Sequence, residues 1–469
     1  MTSQRLFAAD ALLPTGWARD VLLEWNDTGR LVTVAAGREA GPDTPAARGP
    51  VLPGMPNLHS HAFQRGFAGL TERRAPGEDS FWSWRELMYR FASRVTPDQL
   101  EAIATFLFVE MLEAGYTAVC EFHYVHHDAD GMPYADDATL SWCLVRAAAR
   151  AGIGLTLLPV LYQTGGFDGQ AAAGAQRRFV RSSASMVALL ERLAPACRTA
   201  GVRLGLGLHS LRAVPAGSLQ DALADLDAID ATAPVHIHVA EQVREVEECV
   251  AATGQRPVEW LLDHAPLDAR WCLVHATHLA QDEIARAAGR AVVAGLCPTT
   301  EANLGDGVFD LPTWTAAGPS GGGRWGVGSD SHVCVDAAEE LLLLEYGQRL
   351  RLRRRNVAAV GDAEPSTASA LMLAAVAGGA QAVGRTGPAG LAVGGAADFV
   401  VLDAERPLLA GLSAPDMLGA HVFASSRRSA IAEVVTAGHV RVQGGRHPAR
   451  DEAAAAFVRA RAALVANGR

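Results

Sequence analysis

Seven side chains in this 469-residue sequence have the chemistry of a hydrolytic metal centre: His59, His61, His209, His238, Glu241, His275 and Asp330. Neutral imidazole nitrogens with one carboxylate oxygen suit a borderline divalent cation, Zn2+ first, with iron or manganese as alternatives. A lone His-x-His pair says little, because histidine is often a satisfied polar core residue. The set says more. In a strand, alternation puts His59 and His61 on one face, so both imidazoles meet the same cation. With His238 and Asp330 they make three nitrogen donors and one oxygen, a ligand set for one cation per chain. His236 shares the face of His238 one layer deeper and is expected to be a structural neighbour.

These residues need a scaffold that gathers them, and their places in the chain suggest which. Between Val51 and Asp330, short β-rich runs alternate with longer stretches of helical spacing, the pattern of a parallel sheet built from β-α units. The runs are Val51 to His61, Thr117 to His123, Ile153 to Leu161, Val202 to His209, Pro234 to Ala240, Trp271 to His275, Ala291 to Pro298 and Trp325 to Asp330. Eight such units make an α/β fold of the (β/α)8 TIM-barrel type, and the candidate residues recur at run ends, where such barrels keep their chemistry. Gln99 to Ala114, Ser185 to Ala200 and Ala337 to Arg349 are expected in the outer ring of helices.

Leu6 to Ala35 and Ala397 to Gly444 alternate in the β manner and are expected to form one small composite β-sandwich domain. The expected division is residues 1–50 and 386–450 for that domain, 51–385 for a distorted barrel, and 451–469 for a terminal helix. The five arginines between Arg349 and Arg355 read as a solvated helix end. Gly321 to Gly323 reads as a loop, since no phosphate-cradling glycine motif accompanies it.

Composition narrows the chemistry further. The chain has no lysine, so its 41 basic residues are all arginine. That excludes a Schiff base, a phosphate-loop lysine and a lysine bridging two metals. A net charge of −10 argues against a nucleic-acid partner or an acidic membrane surface. The seven cysteines form no C-x-x-C pair and read as buried free thiols, which also excludes zinc deaminases of the P-C-x-x-C type. No apolar run approaches the ~18 residues of a membrane span and no leader pattern opens the chain, so a cytoplasmic location is expected.

Pro53-Gly54-Met55-Pro56-Asn57-Leu58-His59-Ser60-His61, His236-Ile237-His238-Val239-Ala240-Glu241, His275 and Gly328-Ser329-Asp330-Ser331-His332 together resemble the amidohydrolase superfamily, in its deaminase branch. The resemblance extends to Ala397–Asp403 near the end. It is similar to the formimidoylglutamate deiminases in His61–Arg65, Phe81–Arg85, Glu121–Tyr124, His209–Arg212 and Cys297–Gly305. The resemblance implies zinc-dependent deamination of N-formimino-L-glutamate to N-formyl-L-glutamate in histidine degradation, by a homodimer. It implies that Asp330 binds the metal and takes the proton of water, His275 orients the nucleophile, and Glu241 protonates the leaving nitrogen.

A dicarboxylate substrate needs cationic partners, and Arg85 and Arg212 each offer a bidentate fork. Gln64, Tyr124, His209 and Ser331 complete the substrate grip that the resemblance implies. Blander roles exist: Glu241 pairing with Arg244, His275 capping a strand, Arg85 on the surface, Arg212 at a helix start. The alternative enzyme is a deaminase of guanine, a thioadenosine or a similar ring amidine on the same barrel. A metal-free scaffold that binds partners is the alternative of another class.

Overall fold

The computed structural model describes residues 4–72, 81–167, 169–172, 174–317, 322–359, 365–425 and 429–466. Gly321 and residues 467–469 of the expected terminal helix lie outside them, as do the side chains of Phe81, Trp82 and Ser83. Eight strands lie side by side in the barrel sheet: Met55–Ser60, Tyr116–His123, Gly154–Leu161, Leu206–Leu208, Val235–Val239, Trp271–His275, Val293–Leu296 and Arg324–Val327. Neighbours pair in parallel throughout. All residues of Tyr116–His123, Val235–Val239 and Trp271–His275 are buried, as strands covered on both faces must be. The barrel interior is filled by Leu58, Cys272, Val274 and Val293.

The first and last strands meet through a single parallel bridge, Ser60 to Asp330. The Asp330 N–H donates to the His59 carbonyl at 3.0 Å, and the His61 N–H donates to the Asp330 carbonyl at 3.2 Å. Closing the sheet therefore brings three of the candidate ligands together. Glycine makes that closure possible: a Cβ on Gly328 would stand 2.8–2.9 Å from His59 backbone and Cβ atoms.

The predicted run Val51 to His61 is two strands that part at Gly54. Val51–Pro53 belongs to a second sheet, where it pairs with Gln4–Leu13 and Phe399–Leu402. That sheet has seven strands drawn from both chain ends and a core around Trp25 and Phe399, whose rings lie 5.5 Å apart edge to face. Within the region predicted to alternate as β, Ala414–Ala424 is a helix instead, with Leu418, His421 and Val422 buried. Its apolar residues recur three and four apart, so tertiary packing decided what short-range alternation left ambiguous. Pro97–Glu113 begins with a capping box between Thr96 and Gln99 and with proline in its first turn. The helix Thr367–Ala382 packs tightly on the barrel; a Cβ on Gly378 would stand 1.8 Å from the Trp325 carbonyl oxygen. Six of the seven cysteines are buried free thiols, with Cys334 half-exposed.

Candidate active site

At the C-terminal end of the barrel, the Nε2 of His59 lies 3.0 Å from the Nε2 of His61 and 2.9 Å from the Nε2 of His238. Asp330 Oδ1 stands 3.2 Å from His61 Nε2 and 3.5 Å from His59 Nε2. The Nδ1 of His61 faces the Phe122 carbonyl at 3.0 Å, and the Nδ1 of His238 faces the His209 carbonyl at 3.0 Å. Each Nδ1 is then the protonated nitrogen, which turns an Nε2 lone pair inward. Lone pairs converging on one point are repulsive unless a cation sits between them, so this donor set fits a divalent metal. Burial, then the neighbouring His61, pushes His59 down to about 3, and burial with His59 keeps His238 well below the usual histidine range. Both rings stay neutral at pH 7, the form that ligates.

His275 has a different environment. Glu301 Oε1 meets its Nδ1 at 3.2 Å, while Glu241 Oε1 and Asp330 Oδ2 each lie 3.7 Å from its Nε2. Burial alone would lower its pKa, but the surrounding carboxylates, Glu241 foremost, raise it well above the ordinary value. Burial also raises Glu241 to about 7, with His275 opposing. A carboxyl that titrates near neutrality can donate a proton at working pH. His275 and Asp330 reach these positions with left-handed backbone, φ 67° and 46°. Such conformations cost non-glycine residues about 1–3 kcal/mol and gather at functional sites.

Gln64, Arg85, Tyr124, His209 and Arg212 line the same cavity as these groups. Gln64 Nε2 donates to the Tyr124 hydroxyl at 2.8 Å. Arg85 donates to the Tyr162 hydroxyl at 3.3 Å and lies 5.0 Å from the centre of the Tyr89 ring. The inner cavity is small, about 50 Å³, but Arg85 and Arg212 also line a neighbouring chamber of about 590 Å³. The inner cavity thus has the imidazoles and carboxyls at one end and both arginines where it borders the wider space. Ser331 is placed otherwise: its hydroxyl pairs with Thr300 Oγ1 at 3.0 Å, and it does not line the cavity. His236 lies deeper, its Nε2 facing the Ala382 carbonyl at 2.9 Å, as a structural neighbour should.

Several supporting carboxylates carry no individual signal in the sequence. Glu121 accepts from the Ser60 hydroxyl at 2.5 Å and the Ala62 N–H at 2.7 Å, holding the side chain between the two histidines and the backbone just after them. Glu245 accepts from the N–H groups of Ala240 and Glu241. Glu301 binds the Cys297 N–H at 2.8 Å as well as His275. Glu121 and Glu301 stand inside segments that carry the family resemblance; Glu245 and Asp306 do not.

Residues 51–441 match the family model described as Amidohydrolase family, and residues 4–45 match the model described as Formimidoylglutamate deiminase HutF, N-terminal domain. The chain is 51% identical to the formimidoylglutamate deiminase of Pseudomonas aeruginosa, over 97% of this chain and 98% of that protein. It is 27% identical to a 5-methylthioadenosine/S-adenosylhomocysteine deaminase of Natronomonas pharaonis, over 94% of this chain and 93% of the other. Among solved structures, an amidohydrolase from Brucella melitensis superposes with a TM-score of 0.92 at 48% identity, covering 98% of this chain and all of that one.

Proposed function

We propose that this chain, which belongs to the amidohydrolase family, hydrolyses N-formimino-L-glutamate: water replaces the imine nitrogen, giving N-formyl-L-glutamate and ammonia. It is a hydrolase acting on a carbon-nitrogen bond. The observation that carries the substrate reading is that Arg85 and Arg212 open onto the same cavity as Glu241 and the imidazoles. Two bidentate cations beside a reacting centre match a substrate with two carboxylates, which a neutral purine lacks. Gln64, Tyr124 and His209 would complete the grip.

The family is metal-dependent, and His59, His61, His238 and Asp330 would hold one cation, zinc in this reading. A divalent cation, when bound, supplies Lewis acidity that lowers the pKa of water from 15.7 to about 7. Asp330 accepts the proton of the attacking water at its carboxylate. His275, held in place by Glu301, orients the incoming oxygen through Nε2. Glu241, carrying a proton near neutral pH, delivers it from its carboxyl to the leaving nitrogen, so that ammonia departs. Residues 1–50 and 386–450 would form one composite β domain beside the barrel, joined by Val51–Pro53. No helix among the described residues is long and apolar enough to cross a membrane. A homodimer in the cytoplasm is the setting proposed with this reading, to be checked by sedimentation and cell fractionation.

A coupled ammonia assay tests the proposal with formiminoglutamate, guanine and adenosine analogues side by side. Turnover of formiminoglutamate alone is the expected result; turnover of a ring amidine alone would replace it with the alternative. Elemental analysis before and after chelation checks the metal, with one zinc per chain expected and activity restored by zinc.

A further inference from the structure

The side chain of Arg85 leaves the helix Phe81–Ala92 and lies over the ring of Tyr89, one turn further along, where it donates to the Tyr162 hydroxyl. Tyr162 directly follows the barrel strand Gly154–Leu161 and is buried. Gln176, in the single 3-10 turn Gly174–Gln176 of the loop beyond that strand, is buried as well. Its side-chain amide donates to the Tyr162 hydroxyl at 2.5 Å and to the Tyr89 hydroxyl at 3.0 Å. One NH2 group thus ties the loop after the third barrel strand to the helix that bears Arg85. The Tyr162 ring packs against His209, with centroids 4.5 Å apart, and Phe179 packs against both Tyr89 and Tyr162. Arg85 lines the inner cavity, whereas Tyr89, Tyr162 and Gln176 stand behind it.

An arginine has many rotamers, and a fork that must meet a carboxylate through two parallel hydrogen bonds binds best when its position is set beforehand. A phenol oxygen can set it without cancelling its charge. The Tyr162 oxygen has two lone pairs, and N–H donors from Gln176 and Arg85 occupy them. Gln176 therefore fixes the acceptor, and the acceptor fixes the fork.

We propose that Tyr162 is a positioning residue for Arg85, and that its hydroxyl, held in turn by Gln176, sets the fork where a substrate with two carboxylates requires it. The inference rests on the reading of Arg85 as one of the two carboxylate partners. Tyr162 acts only through Arg85, so it governs binding and the preference for a dicarboxylate, and leaves the chemical step alone.

The test is steady-state kinetics of the zinc-loaded wild type, Tyr162→Phe, Arg85→Met and the double variant. The compounds are formiminoglutamate and two analogues, one without the α-carboxylate and one without the side-chain carboxylate, each followed as substrate or as competitive inhibitor. Phenylalanine keeps the ring beside His209 and removes only the hydroxyl. Tyr162→Phe should raise KM for formiminoglutamate about tenfold, the scale of one hydrogen bond to a charged group, with kcat within about twofold and zinc content unchanged. The analogue that lacks Arg85's carboxylate partner should bind Tyr162→Phe and Arg85→Met within about twofold of wild type, and the double variant should be no worse than Arg85→Met. Gln176→Met, which keeps the volume and releases the hydroxyl, should raise the same KM about threefold and carries the test if Tyr162→Phe folds poorly. A wild-type KM in Tyr162→Phe, an equal loss on all three compounds, or effects that multiply in the double variant would overturn the proposal while leaving Arg85 in its role. If Arg85→Met itself left the KM for formiminoglutamate unchanged, the arginine reading would fail, and the positioning role of Tyr162 would fall with it.

Discussion

The mouth of the barrel and its opposite end handle charge in opposite ways. At the mouth, His59, His61 and His238 turn their ring nitrogens toward one another, and Glu241, Glu301 and Asp330 crowd His275. At the other end, Arg203 bonds Asp230 and the Thr232 carbonyl, and Arg385 pairs with Asp398, whose other oxygen accepts from the Ala437 N–H. The backbone follows the same division. Ala240, His275, Ala276, Asp330 and His332 hold left-handed conformations at the mouth without being glycine, whereas at the base Gly152, Gly201 and Gly384 take that role beside Ala291 and Ala437. Like-signed groups are thus gathered at the mouth, where a cation and a substrate can relieve them, while opposite charges pair at the other end and hold the barrel to the sheet below.

If this division is right, substitutions at the mouth should alter turnover while leaving stability nearly untouched, and those at the base should do the reverse. The largest effect expected is in Glu241→Gln, where kcat should fall about 10³-fold with zinc content and Tm unchanged, measured by ammonia release and calorimetry. Wild-type turnover in this variant would break the comparison at its centre.

A pH effect on stability should come from below the mouth. Burial lowers His236 to about 4, so the folded state binds fewer protons than the unfolded chain, whose histidine titrates near 6.5. The stability this neutral ring contributes is complete above about pH 6.5 and is lost as pH falls toward 4, to the extent of about 3 kcal/mol. His236→Gln should flatten that acid decline in a denaturation series from pH 7.5 to 4.5; an unchanged slope would show that other groups cause it.

Arg212→Met sharpens the substrate half of the comparison. Losing a charged hydrogen-bond donor should lower kcat/KM for formiminoglutamate about 10- to 100-fold, through KM, with metal content intact. An unchanged KM would detach this arginine from the carboxylates. The smallest effect is expected at the base: Asp398→Ala should cost about 1–2 kcal/mol of stability and leave kcat alone. A loss of activity as large as its loss of stability would mean that the two ends are coupled.

Much of the fold was legible before any coordinates. Six of the eight parallel strands fall inside the predicted runs and two, Tyr116–His123 and Arg324–Val327, begin one residue earlier, because buried parallel strands leave continuous apolar stretches bounded by turns. Where prediction slipped, the pattern was local and the cause was not. Val51 to His61 reads as one run, yet the strand divides at Gly54 because its first three residues find partners in Gln4–Leu13 and Phe399–Leu402. Asp306 directly follows the Cys297–Gly305 segment, but nothing in the local sequence places it beside Glu241.

The amino-acid order alone determined which donors exist and how nearby ones share a face, since strand periodicity is a property of the local backbone: His59 with His61, His236 beneath His238. It also determined, by containing no lysine, which chemistries were closed to the chain. Only the tertiary structure decided that Asp330 meets His59 and His61, because that contact is made by the bridge that closes the barrel. The same holds for Asp306 beside Glu241 and Glu301 against His275, pairs set by how strand ends and loops converge in space, which no short-range pattern encodes.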